Sequence, residues 1–197
     1  MIDLRNLLSA IKPYFLGWTQ SYLTRYDDLL PLPVTVGPGL ASPAAMSSYN
    51  GGSLVAYEFV NTATKAYYAG WQLSHKWREG TVVYPHLHLF IPSGTTGDVK
   101  FTMNYTWVNV DAVEGSETVI YGTCTKSSGT SNNGNALLKL DSAAISGTGK
   151  TISSILLARI ARDPADAADT FGASVWMKSI DMHIQYDSNG SLTEWAK

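Results

Sequence analysis

The chain has 197 residues, a formal net charge of −2 and 15% charged side chains. That length fits one domain with an appendage and can bury a substantial core. The charge balance, with no run of Lys or Arg, excludes a basic nucleic-acid-binding surface, and no apolar run approaches the ~20 residues that span a bilayer.

The charged fraction lies below the quarter or so usual for soluble domains. With 17 glycines and 11% aromatics, the profile suits an all-β protein with many turns. It also suits a protein whose surface is partly consumed by neighbours, since interfaces are depleted in charge. The lone cysteine, Cys124, excludes an intramolecular disulfide framework. It lies in a strand pattern and reads as a small core residue. Asp3 and Arg5 interrupt the N-terminus and no small-residue cleavage site follows an apolar region, so synthesis in a cytoplasm without signal-peptide export is expected.

Three segments follow in chain order. Residues 1–30 read as a helical arm. Leu4, Leu7, Leu8, Ile11, Phe15, Trp18 and Tyr22 recur at steps of three and four and make one apolar stripe. Asp3 suits the N-cap, and Pro13 should kink or split the helix. Such an arm packs on its own domain, inserts into a partner or bundles with copies of itself, and the stripe does not choose. Residues 31–52, PLPVTVGPGLASPAAMSSYNGG, are dense in Pro, Gly and Ser, as in a linker or extended arm. Residues 53–197 carry the strand signals.

Leu54–Val60 and Ala66–Leu73 are the first two strands. Thr81–Ile91 is the clearest. Val83, Pro85, Leu87, Leu89 and Ile91 share an apolar face, while Val82, Tyr84, His86, His88 and Phe90 share the other. The second face mixes aromatics with histidines and is expected to be partly covered. Pro85 cannot donate to a ladder and suggests an edge or a bulge. Val99–Val110 alternates, with Phe101, Met103, Tyr105 and Trp107 on one face and Lys100, Thr102, Asn104 and Thr106 on the other. Glu117–Thr125 is another strand. Lys126–Asn135 reads as an exposed polar loop, and Ala136–Leu140 as a short strand or a turn of helix. Ile152–Ala161 alternates and ends at Arg159, Arg162 and Asp163. Pro164–Thr170 is an acidic loop. Ala173–Met177 and Ile180–Asp187 are the last strands, with Ile180, Met182, Ile184 and Tyr186 inward. Eight or nine short strands with no intervening helix predict a β-sandwich, with a jelly roll as the favoured topology.

The sharpest chemical pattern is Gly80-x5-His86-x-His88, like the first half of the cupin metal motif. Two histidines two apart on a strand point the same way and can share a metal. The glutamate that should follow is absent, and so is the second cupin motif. His183, pointing outward from a late strand beside Asp181 and Asp187, could complete a three-histidine site. The competing reading is structural hydrogen bonding at a sheet face or subunit contact. Gly149-Lys150-Thr151 lacks the spacing of a phosphate loop and reads as a turn. No nucleophile elbow is present. Glu58, Glu79, Asp111, Glu114 and Glu117 show no spacing that favours glycoside hydrolysis. Tyr84, Trp107 and Trp176 are aromatics that would stack on a sugar if exposed, or belong to core or interface. No enzymatic activity and no cofactor are expected.

Four segments, WQLSHKWREGTVVYPHLHLFIPSG, FTMNYTWVNV, ILLARIARDPADAADTF and IDMHIQYDSNGS, carry a resemblance to bacteriophage virion proteins with a jelly-roll domain. His75, Trp77, Gly80, Thr81, Pro85, His86 and His88 match the first recurring piece. Arg159, Arg162 and Asp163 match the second. Asp181, His183, Asp187, Gly190 and Ser191 match the third. The resemblance spans roughly residues 54–191, judged by motif order. The sequence departs at Ser74, where the family usually has proline, and the arm and linker lie outside the match.

The resemblance implies a structural role in a virion, with the chain made in the host cytoplasm. A homotrimeric capsid decoration, cement or head-fibre protein is expected, with itself and capsid or tail proteins as partners. Neither nucleic acid nor membrane is expected as a partner. A low-charge, aromatic-rich sandwich offers interface area, and many copies on a shell supply avidity. Two alternatives stand beside it. One is a tail fibre or spike module that binds a host receptor or glycan, with Lys126–Asn135 as its contact loop. The other is a cupin-like metalloenzyme using His86, His88 and His183.

Overall fold

A computed structural model describes residues 25–33, 41–127 and 132–187. These residues form eleven strands: β1 (Arg25–Leu29), β2 (Leu32–Pro33), β3 (Ala45–Ser48), β4 (Val55–Phe59), β5 (Lys65–Gln72), β6 (Tyr84–Ile91), β7 (Gly97–Val108), β8 (Thr118–Lys126), β9 (Asn133–Lys139), β10 (Ile155–Arg162) and β11 (Val175–Tyr186).

The first sheet runs β3-β4-β11-β6-β9, with β1 also on β11; the second runs β2-β5-β10-β7-β8. Stripped of the three N-terminal strands, the sheets read β4-β11-β6-β9 and β5-β10-β7-β8. Successive strands cross from one sheet to the other except at β7–β8, which pair within one sheet, and this is the eight-stranded jelly roll expected from the sequence. β11 is the organising strand. One edge pairs with β6 from Trp176 to His183. The opposite edge is shared by β4, at Val175–Met177, and β1, at Met182–Tyr186.

The inner faces follow the alternation in the sequence. Leu156 on β10 stands between Trp71 on β5 and Trp107 on β7. Leu87, Leu89, Ile180 and Met182 are buried from the first sheet. Phe59 meets Phe101 edge-on at 4.8 Å between ring centres. Each such side chain, fully buried, contributes roughly 1.5–3 kcal/mol. Trp107 turns its indole N–H to the Ser154 hydroxyl at 2.9 Å, so the core indole has a partner. Trp77 is wholly buried and packs on Trp107 at 5.6 Å. Its ring needs glycine at 147, where an added Cβ would lie 2.6 Å from Trp77 Cζ2 and against the Thr81 carbonyl. The Gly149-Lys150-Thr151 segment is the expected turn, with Gly149 at φ +73° and Lys150 N–H donating to Gly147 O.

The structure corrects several expectations. Residues 25–29, assigned to the helical arm, are a strand: the edge of β11 offers unpaired backbone groups there, and pairing overrides local propensity. The stripe residues Leu4, Leu7, Leu8, Ile11, Phe15 and Trp18 lie outside the described residues. The expected linker contributes β2 and β3, each at a sheet edge, where Pro33 removes no ladder bond that an interior strand would need. Pro85 sits in an interior strand rather than at an edge. Its carbonyl accepts from Leu140 N–H, so its nitrogen points to the same side, past the last β6–β9 pair, His86–Lys139. The expected loop 126–135 is shorter, because Lys126 closes β8 and Asn133–Asn135 open β9. The two expected last strands are one, with a register shift between Met177 and Ser179.

Candidate functional site

The outer face of the first sheet gathers three of the four histidines. Cross-strand pairing makes the rows: Asp28 opposite His183 and His183 opposite Tyr84, then Asp181 opposite His86 and His86 opposite Lys139. His88 lies two residues on, opposite Leu137. His86 and His183 rings are 4.4 Å apart, and His86 and His88 rings 5.1 Å. The spacing of two along β6 puts both of its histidines on one face, as the sequence predicted.

Asp181 is the hub. Its Oδ1 is 2.8 Å from His86 Nε2 and 3.8 Å from His88 Nε2. It is only 8% exposed although it sits on an outer face, because the imidazoles roof it. The other ring nitrogens are also engaged. His86 Nδ1 is 3.4 Å from the Tyr84 carbonyl, and His88 Nδ1 is 3.0 Å from Asn135 Oδ1. Burial holds the His86 pKa below its ordinary value; the Asp181 charge opposes that shift and is outweighed. His183 stays beside the His86 ring but pairs elsewhere, with Nε2 3.1 Å from Asp28 Oδ1 in a half-exposed pair. Oδ1 of Asp181 makes no aligned hydrogen bond among the described residues, in spite of the 2.8 Å approach of His86. The short distance is real proximity, but the ring N–H direction does not point at the oxygen.

A cleft of about 470 Å³ opens beside the cluster, lined by Tyr26, Tyr84, His86, Lys139, Asp141 and His183 among others. Tyr26 and Tyr84 meet edge-on at 6.2 Å at its mouth. Of the aromatics named for sugar stacking, Tyr84 is exposed, Trp176 is half-buried and donates to Ser47 Oγ, and Trp107 belongs to the core.

The remaining motif residues hold the frame. Arg162 is fully buried and uses all five donors: Nε and Nη2 to the two Asp169 oxygens at 2.8 Å each, Nη1 to the carbonyls of Phe59 and Ala173, Nη2 to that of Phe171. Asp163 accepts from Thr64 Oγ1 and Ala165 N–H. His75 Nε2 meets Ser153 Oγ at 3.1 Å. Gly80, at φ +78°, makes the turn before β6. Glu58, Glu79, Glu114 and Glu117 each hold a separate local partner rather than pairing.

The outer face of the second sheet is different. Leu32, Gly70, Leu157 and Thr106 form one row, Gln72, Ile155 and Val108 the next. Leu32, Ile155, Leu157 and, one row beyond, Val119 are exposed. Among the described residues, Tyr68 Oη and Arg159 Nε on this face are buried without a hydrogen-bond partner.

Sequence reasoning found His86, His88, His183 and Asp181. It missed Asp28 and Asn135, whose roles arise from strand register and carry no local signal. Fold and site define a jelly-roll β-sandwich with a histidine–aspartate cluster on one sheet and an apolar outer face on the other. No family model and no curated protein matches the chain. Among solved structures, it is similar to a carbohydrate-binding module, CBM28, specific for non-crystalline cellulose. The identity is 11%, over 75% of this chain and 83% of that one, with a TM-score of 0.35, too slight a likeness to argue from.

Proposed function

We propose that the chain is a structural component of a phage virion, a trimeric capsid decoration, cement or head-fibre protein that attaches to the particle surface and carries out no catalytic step. The observation that supports this reading is the outer face of the second sheet. A sheet face turned to water ordinarily alternates to polar residues. Here Leu32, Ile155, Leu157 and Val119 stand exposed on it. Contact between copies would cover these apolar side chains. The motif residues that carry the resemblance to virion proteins fit the same reading, since Trp77, Arg162 and Asp163 are devices of a jelly-roll frame.

The test is the solution mass of the full chain by light scattering, with Leu157→Asp alongside. A trimer is expected for the unaltered chain, falling to monomer in Leu157→Asp with its circular dichroism unchanged. A chain that stays monomeric at high concentration and is absent by mass spectrometry from purified particles overturns the proposal.

A further inference from the structure

The polar atoms of the histidine cluster do not balance, and the imbalance has a sign. A neutral imidazole carries one N–H. His86 faces an acceptor from each nitrogen, the Tyr84 carbonyl at Nδ1 and the Asp181 carboxylate at Nε2. His88 does the same with Asn135 Oδ1 and Asp181. With the Nδ1 protons given to Tyr84 and Asn135, the two Nε2 atoms are left as lone-pair donors beside a buried carboxylate oxygen that itself lacks an aligned donor among the described residues. Three electron-pair donors gathered this closely favour a cation between them.

We propose that His86 Nε2, His88 Nε2 and Asp181 Oδ1 bind one divalent transition-metal ion, with Zn²⁺ the best fit. One ligand atom from each of the three residues lies within 4.8 Å of the other two, and Asp181 Oδ1 is 2.8 and 3.8 Å from the two Nε2 atoms. Ligands of a tetrahedral zinc at bonds of 2.0–2.1 Å are about 3.3 Å apart, so the span matches with small side-chain movements. The hydrogen bonds from Nδ1 to a carbonyl and to an amide oxygen are the arrangement that fixes the tautomer of metal-bound histidine. Imidazoles select zinc and its neighbours over calcium or magnesium. The fourth position falls to water or to a group entering from the adjacent cleft. His183 is not a ligand in this set, because Asp28 holds its Nε2. The fourth histidine supplies the contrast: His75 Nε2 meets a serine hydroxyl, which can donate or accept. The ion would tie β6 to β11 at the centre of the first sheet, and the inference does not depend on the virion reading.

The experiment is titration of the chelator-stripped full chain with Zn²⁺ alone by calorimetry, followed by Co²⁺ and its visible spectrum. One ion per chain is expected, with a cobalt spectrum of mixed nitrogen and oxygen ligation and a raised unfolding temperature. His88→Ala, at a half-buried position, and the isosteric Asp181→Asn are expected to abolish stoichiometric binding while keeping the circular dichroism of the parent. His75→Ala and His183→Ala are expected to keep it. Absence of stoichiometric binding in the parent chain overturns the proposal. So does a folded His88→Ala that binds as the parent does, or a folded His183→Ala that binds none.

Discussion

Arg162 shows how a charge survives in the core of the sandwich. It has no exposure, yet each donor is used and its charge is met by Asp169, itself fully buried. Breaking one side of a buried, hydrogen-bonded pair leaves the other uncompensated, so Asp169→Ala is expected to cost about 3–5 kcal/mol, read from urea unfolding. Lysine at 162 should fare little better, because an ammonium cannot reproduce the fork that reaches Asp169 and three carbonyls. Asp166, in the same loop, is a half-buried counterpart. The hydrogen bond from Lys100 Nζ, at 2.6 Å, holds its carboxyl below the usual value of 3.8. As pH falls, the unfolded chain therefore takes up this proton first. The stabilisation is fully present above 3.8 and is lost as pH drops through the lower folded value. Asp166→Asn should flatten that part of the acid limb, measured as urea midpoints between neutral and strongly acidic pH. At Cys124 burial pushes the thiol up to about 11. Its reaction with a disulfide reagent at pH 8 is expected to be far slower in the folded chain than in urea, since the thiolate is the nucleophile.

At the scale of elements, the N-terminal strands close edges of both sheets. Residues 25–29 pair with the free edge of β11, Leu32–Pro33 with β5, and Ala45–Ser48 with β4. Truncation through residue 52 removes three of the described strands and bares the edges of β11, β5 and β4. This deletion is expected to lower the urea midpoint and to aggregate through open edges, as followed by light scattering. The elements also show what a local pattern can carry. The alternation in Val83–Ile91 and Val99–Trp107 named the inward side chains, because a strand's period of two is set by its own backbone, although Tyr105 is only half-buried and His86 and Phe90 are buried on the outer side. Arg25–Leu29 and Ala45–Ser48 were illegible, since short polar or small-residue strands acquire their state only from the edge they join.

The whole molecule presents two unlike outer faces. One is apolar, with Leu32, Ile155, Leu157 and Val119 exposed. The other carries the histidine cluster and its cleft. If both proposals hold, Leu157→Asp should lower the solution mass without changing Zn²⁺ stoichiometry, and His88→Ala should do the reverse. Calorimetry and light scattering on the same two variants check this independence, which follows from the separation of the faces by the core. By itself, the sequence determined the all-β class, the strands of the main domain with their inward sides, and the shared face of His86 and His88. These are properties of the local backbone period and of side-chain polarity. Tertiary structure alone decided that Asp181 stands opposite His86, that Asp28 holds His183, and that Arg162 meets Asp169 beneath three carbonyls. Strand partners and register are made by backbone hydrogen bonds between distant segments, and those bonds are the same for almost every residue, so no local stretch of sequence encodes them.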